Sequence, residues 1–335
     1  MSAQTQKSLI ASVPGLQPGD DLFLEDIFAR FPKVRKGFEE YCALPPFQRI
    51  PAAAKKLEHL PRTGWLRLEE EGEATRDIRP VLNSHANEYY GPRWLFAELA
   101  PGKGTETVLE HCAEAQELFI LVYGKNYPFL QWGAEVLKFH DFTEAITGDF
   151  TPKDTITKPE KKRLERIALG LLTEDRHQGN LHALHVYNCM NIYEGTAQDF
   201  SLLRSEMLSE ISRQETSGKI RPVQVEFVNF LKRIYGDMDP DLPGLTKRTG
   251  DIDALHMGLR AMRIERDGHF SVQKDQALAH LGEFYAYIGK KLSTPEAMSF
   301  FADMGAVNKE FPQTSYTSAV ALTVGRHRGD FPRPF

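Results

Sequence analysis

Apolar residues recur every three or four positions along most of this 335-residue chain, the spacing that lines one face of an α-helix. The run "TVLEHCAEAQELFILVY" opens at Thr107, has Glu110 three residues on as in a capping box, and stops at Gly124. The next pattern predicts a single helix from about Pro128 to Thr147, with Gly148 in the C-cap position. Thr157 and Glu160, with Pro159 in the first turn, open a third helix over "KPEKKRLERIALGLL". Further helices are expected over 180–193, 197–213, 222–235, 251–264, 272–292 and 295–304. Alternation of period two is confined to "GWLRLEE" and "YTSAVALTVG", so the expected fold class is all-α or nearly so. Polar stretches bearing proline and glycine at 71–105 and 236–250 read as long loops or insertions. One compact helical domain with decorations is expected rather than two.

Composition narrows the function classes. With 41% hydrophobic and 26% charged residues the chain can bury a full apolar core. Its longest purely apolar run, Leu118–Tyr123, falls far short of the roughly 20 residues that cross a bilayer. The opening "MSAQTQKS" carries no secretory pattern, so a cytoplasmic protein with no membrane partner is expected. Cys42, Cys112 and Cys189 are odd in number and widely spaced, which makes neither a disulfide framework nor a zinc knuckle; buried small side chains are the expectation. A net charge of -5 argues against a nucleic acid polymer or an anionic membrane as partner. A small phosphorylated ligand needs only a local positive cluster and stays compatible.

Candidate chemistry concentrates in "KFHDFTEAITGDFTP". On one helix, His140 and Glu144 stand four residues apart and Asp141 and Glu144 three apart, so their side chains crowd one face. Like charges so placed repel unless a cation sits among them. Asp149, just past Gly148, can turn a carboxylate back to the same spot. Imidazole with carboxylate oxygens suits Mn, Co, Fe or Zn, whereas an all-oxygen set suits Mg. Alone, the same residues also read as a solvated helix face beside a half-buried histidine.

The rest of the chain weighs against that plainer reading. "PRTGW" at 61–65, "ETVLEH" at 106–111, "HDFTEAITGDFTP" at 140–152, "KPEKKRLE" at 158–165 and "DALHMGLRA" at 253–261 together resemble the HD-domain phosphohydrolases, most closely their 5'-deoxynucleotidase branch. The resemblance implies an HD-type helical bundle with an N-terminal extension (about 1–50), insertions at about 71–105 and 200–245, and extra C-terminal helices (about 265–335). It implies His111, His140, Asp141 and Asp253 as ligands of one divalent metal, whether Mn, Co, Zn, Fe or Mg. Glu144 and Asp149 would orient the attacking water and leaving group, or hold a second cation such as Mg with the carbonyl of Phe150. Arg62 would clamp the phosphate, Trp65 would pack on sugar or base, and Lys153 and Lys158 would assist. The implied activity is phosphate removal from (deoxy)nucleoside 5'-monophosphates; a triphosphate or another small phosphate ester would use the same residues.

Departures from the family pattern leave alternatives open. The segment 71–105, with "SHANEYYGPRW", is longer than the family needs and reads as a pocket cover or an oligomer contact, so a homodimer is compatible. Asp251 rivals Asp253 as the last ligand, and Asp199 stands further off. His177, His182 and His185 would be the extra ligands of an HD-fold diiron oxygenase. A non-catalytic nucleotide-sensing module is the third class.

Overall fold

In the computed structural model the described residues are 9–62, 106–124, 127–150, 154–236, 239–267, 285 and 287–307. Among them the protein is all-α: helices with no strand, and a single isolated bridge between Pro61 and Thr107. Both strand-like runs of the sequence, most of the 272–292 pattern, Trp65, Lys153 and the 71–105 segment lie outside the described residues. No described helix is long and apolar enough to cross a membrane. The chain divides into two compact units. The first comprises 1–63, 107–109 and 139–242; the second comprises 64–106, 110–138 and 243–335.

The first unit begins with three helices, α1 (Asp20–Arg30), α2 (Pro32–Cys42) and α3 (Pro46–Leu57). Pro32 and Pro46 stand in the first turns of α2 and α3, where a missing N–H costs nothing. Leu24, Ile27, Phe28, Val34, Phe38, Tyr41, Ala53 and Leu57 bury one face of each. Arg49 is buried and donates to the carbonyls of Tyr41, Leu44 and Leu171 and to Glu174. A guanidinium thus satisfies the carbonyl ends of α2 and of α7 (Lys158–Leu172). The capping box of α7 is formed as expected: Thr157 Oγ1 accepts from Glu160 N–H and Glu160 accepts from Thr157 N–H. Asn180 caps α8 (Leu181–Tyr193), which is buried on nearly every side and so lacks the polar stripe of a surface helix. Asp199, the distant rival among ligand candidates, caps α9 (Phe200–Thr216) by accepting from Ser201 N–H. The chain then continues through α10 (Val225–Gly236).

Two expectations fail. The stretch at 236–250 is not a loop throughout: a helix, Leu242–Asp267, begins within it, well before the expected start at 251. The pattern over 128–147 does not form a single helix: α5 (Leu130–Phe139) ends one residue before His140, and a turn leads into the four-residue α6 (Glu144–Thr147). The N–H groups of Phe142, Glu144, Ala145 and Ile146 bond to the third residue back, as in Glu144 N–H to the Asp141 carbonyl at 2.9 Å. That pitch gives about 120° per residue instead of 100°, so Asp141 and Glu144 lie almost in line. A methyl at Gly37 of α2 would lie 2.0 Å from the Ile146 carbonyl oxygen; only glycine lets this backbone approach so closely. Gly148 closes the turn at φ 77° and ψ 163°, a region essentially reserved to glycine.

The second unit is built on α4 (Val108–Tyr123), α5, α11 (Leu242–Asp267) and α12 (Pro295–Val307). Its core includes Ala115, Leu118, Phe119, Trp132, Val136, Ile252, Leu255, Phe300 and Phe301. Gly133 of α5 lies against the Phe119 ring, allowing close packing on α4. Asp251, 1% exposed, accepts from the backbone N–H and hydroxyl of both Ser293 and Thr294. Its carboxylate anchors the residues that lead into α12. Of the cysteines, Cys112 and Cys189 are buried as expected and Cys42 is half-buried; none of the three is in a disulfide.

Candidate functional site

In the first unit, the Pro61–Thr107 bridge and the bond from Val108 N–H to the Leu60 carbonyl at 2.8 Å hold the backbone beside Arg62. Arg62 Nη1 donates to Asp141 Oδ2 at 2.7 Å. His140 Nε2 lies 3.3 Å from the same oxygen, and the imidazole packs against Tyr193 with ring centroids 4.9 Å apart. Glu144 is buried, with Oε1 3.9 Å from Lys161 Nζ. Its Oε2 has no hydrogen-bond partner among the described residues.

This crowding sets protonation. Burial first, then the charges of Asp141 and Asp149, hold the Glu144 carboxyl well above the usual carboxylate range, while Lys161 and Arg62 pull the other way. Glu165, 3.4 Å from Lys161, is pushed up to about 7 by burial, with Glu194 and Asp141 adding to it and Lys161 opposing. Burial by itself would push Lys161 down; Glu165, Glu144, Asp141 and Asp149 outweigh that and hold the ammonium above its usual range. The cluster therefore sets a carboxyl group that holds its proton more tightly than an ordinary carboxylate beside a carboxylate gripped by a guanidinium. Such a pair can divide acid and electrostatic roles.

In the second unit, His111 Nε2 lies 3.3 Å from Asp253 Oδ1, and Asp253 Oδ2 accepts from Lys291 Nζ at 2.8 Å. His111 Nδ1 is 2.9 Å from His256 Nδ1. His256 Nε2 lies 2.8 Å from Glu114 Oε2 and 3.6 Å from Glu106 Oε1. Glu106, His111 and His256 are all buried, with donor atoms close enough together to hold a metal ion. Asp253 and Asp251, two residues apart on α11, thus have different partners: one faces an imidazole, the other holds Ser293 and Thr294.

The five sequence blocks therefore fall into two groups. Arg62, His140, Asp141, Glu144 and Asp149 belong to the first unit, and His111 and Asp253 to the second. Lys158, in the first turn of α7, is exposed and makes no ion pair among the described residues. Lys161, one turn along the same helix, meets the carboxylates instead. His185 contacts the Tyr235 hydroxyl and several aromatic rings, His182 packs on Phe139 and Phe227, and His177 is exposed. No group of close metal-binding side chains among the described residues includes any of these three histidines.

No protein-family model, curated protein or solved structure matches this chain. The site rests on its own chemistry. Sequence reasoning passed over Lys161, Glu165, Glu106, Glu114, His256 and Lys291. Most left a signal: Glu114 and His256 each stand three residues after a candidate ligand, and Lys161 and Glu165 share a face of α7 at a spacing of four.

Each unit by itself offers donors that suit a divalent cation. In the second, an imidazole nitrogen of His111 and a carboxylate oxygen of Asp253 converge; in the first, a buried carboxyl oxygen of Glu144 has no hydrogen-bond partner among the described residues. Mixed nitrogen and oxygen donors fit a first-row transition metal better than Mg.

Proposed function

We propose that this protein is an HD-type metal-dependent phosphohydrolase that removes phosphate from (deoxy)nucleoside 5'-monophosphates. Its metal ligands on this reading are His111, His140, Asp141 and Asp253. One observation carries the proposal: a buried Glu144 three residues from an Asp141 gripped by Arg62, within the sequence block that resembles the family most closely. When bound, a divalent cation supplies Lewis-acid activation of water and offsets charge on the phosphoryl oxygens.

The side chains supply the rest. Glu144, its carboxyl held above the usual carboxylate range by burial and by its acidic neighbours, delivers a proton to the departing ester oxygen. Arg62 offers donors in one plane to two phosphoryl oxygens. Its bond to Asp141 fixes the approach of the guanidinium. Lys161 offsets surplus negative charge so that a phosphate dianion is not repelled.

The experiment is phosphate release from a panel of ribo- and deoxyribonucleoside mono- and triphosphates, with Mn, Co or Mg added to metal-depleted protein. Release from deoxynucleoside monophosphates that requires the metal is expected. Release from triphosphates alone would move the substrate assignment, and no release from any member would overturn the enzymatic reading.

A further inference from the structure

His111, His256 and Glu114 form a hydrogen-bonded series within the second unit, with Glu106 Oε1 3.6 Å from His256 Nε2, and the direction of its donors can be worked out from one end. Glu114 Oε2, 2.8 Å from His256 Nε2, can only accept while ionised, so Nε2 of His256 carries a hydrogen. A neutral His256 then presents a lone pair at Nδ1. The 2.9 Å contact between the two Nδ1 atoms needs one hydrogen, which His111 must provide. A neutral His111 with its hydrogen on Nδ1 has its lone pair on Nε2, facing Asp253 Oδ1 at 3.3 Å. Two acceptors that close repel unless positive charge lies against both. Lys291 engages the other oxygen of Asp253.

The alternative cluster of Glu106, His111 and His256 is a poorer cation cage. Two nitrogens on one tetrahedral zinc stand about 3.4 Å apart, whereas these two Nδ1 atoms are at the length of a shared hydrogen, 2.9 Å. The pair therefore acts as a relay rather than as joint ligands.

We infer that His256 is a positioning residue: backed by Glu114 and Glu106, it fixes the Nδ1–H tautomer of His111 and so turns the His111 Nε2 lone pair, beside Asp253, toward a divalent cation. This rests on the metal-binding part of the function proposed above and not on the identity of the substrate. A carboxylate behind a ligating imidazole is a common way to orient it; here a second imidazole is interposed. The competing polarity has a doubly protonated His256 donating to His111, with His111 Nε2–H donating to Asp253, and leaves no lone pair for a metal.

The full-length protein, labelled with 15N-histidine, is stripped of metal and loaded with one equivalent of Zn(II). Long-range 1H–15N correlation, with His111 assigned by its loss in His111→Asn, reads the tautomer. Hydrogen on Nδ1 with a zinc-shifted Nε2 is expected; hydrogen on Nε2 overturns the inference. In competitive Zn(II) titration, His256→Leu should weaken binding about 10–100-fold with unchanged stoichiometry. His256→Gln, which can accept from His111 and donate to Glu114, should stay within about threefold of wild type. His256→Leu binding within about twofold of wild type also overturns the inference. If His256→Leu does not fold, the tautomer measurement on wild type decides alone. Wild type that binds no Zn(II) sinks the metal reading and this inference together. Zn(II) bound with the expected tautomer but no phosphate released from any nucleotide sinks only the activity.

Discussion

In the first unit Asp141, Glu144, Asp149 and Glu165 meet a guanidinium and an ammonium, Arg62 and Lys161. In the second, Glu106, Glu114 and Asp253 meet imidazoles and Lys291. The difference in partner changes what buried negative charge does. Arginine and lysine only donate, and they only partly offset burial, which with the neighbouring carboxylates makes Glu144 and Glu165 both titrate high. An imidazole donates from one nitrogen and accepts at the other, so a carboxylate behind it sends its polarity across the ring. One cluster thus stores a proton, and the other presents a lone pair.

The strongest way to break the comparison is at Asp141. Asp141→Ala should remove bound metal and lower turnover by about a thousand-fold or more while helicity is kept. Metal analysis with full stoichiometry in this variant would deny it a ligand role. Glu144→Gln comes next: metal content is retained and turnover falls by about 10²–10⁴-fold, read as kcat on the best nucleotide. If Glu144→Gln instead binds no metal, Glu144 is itself a ligand.

The neighbouring aspartates of α11 sharpen the contrast. Asp251→Ala should cost about 3 kcal/mol of stability in urea unfolding, because buried donors of Ser293 and Thr294 lose a charged acceptor, yet leave Zn(II) affinity unchanged. Asp253→Ala should lose the metal with a smaller loss of stability. Reversal of the two phenotypes would exchange their roles.

The smallest effect concerns Glu165. Its carboxyl is raised from 4.5 to about 7, so the folded protein holds a proton there that the unfolded chain releases at lower pH. The associated stability is complete below the unfolded value and is lost as pH rises through the folded one. Wild type should therefore lose more thermal stability between about pH 5 and pH 8 than Glu165→Gln does. Parallel Tm profiles for the two proteins would contradict this protonation.

The sequence by itself settled what is decided within a few residues. The helix Lys158–Leu172 begins where Thr157, Pro159 and Glu160 require, because a capping box is closed by residues three apart. The all-α class follows from apolar spacing, which each helix carries along its own length. What needed tertiary structure was anything with a distant partner or a changed pitch. Apolar spacing does not distinguish 100° from 120° per residue over six positions, so the break at His140 was hidden; the turn packs at its far end against Gly37, more than a hundred residues away. Asp251 and Asp253 look alike on paper, but their separation depends on Ser293, Thr294 and Lys291 arriving from another segment. His256 stood in plain sight within "DALHMGLRA", yet its part depends on two glutamates far earlier in the chain, 142 positions away for Glu114. Residue types fixed which chemistry was available, and the long-range contacts decided which nitrogen or oxygen faces which.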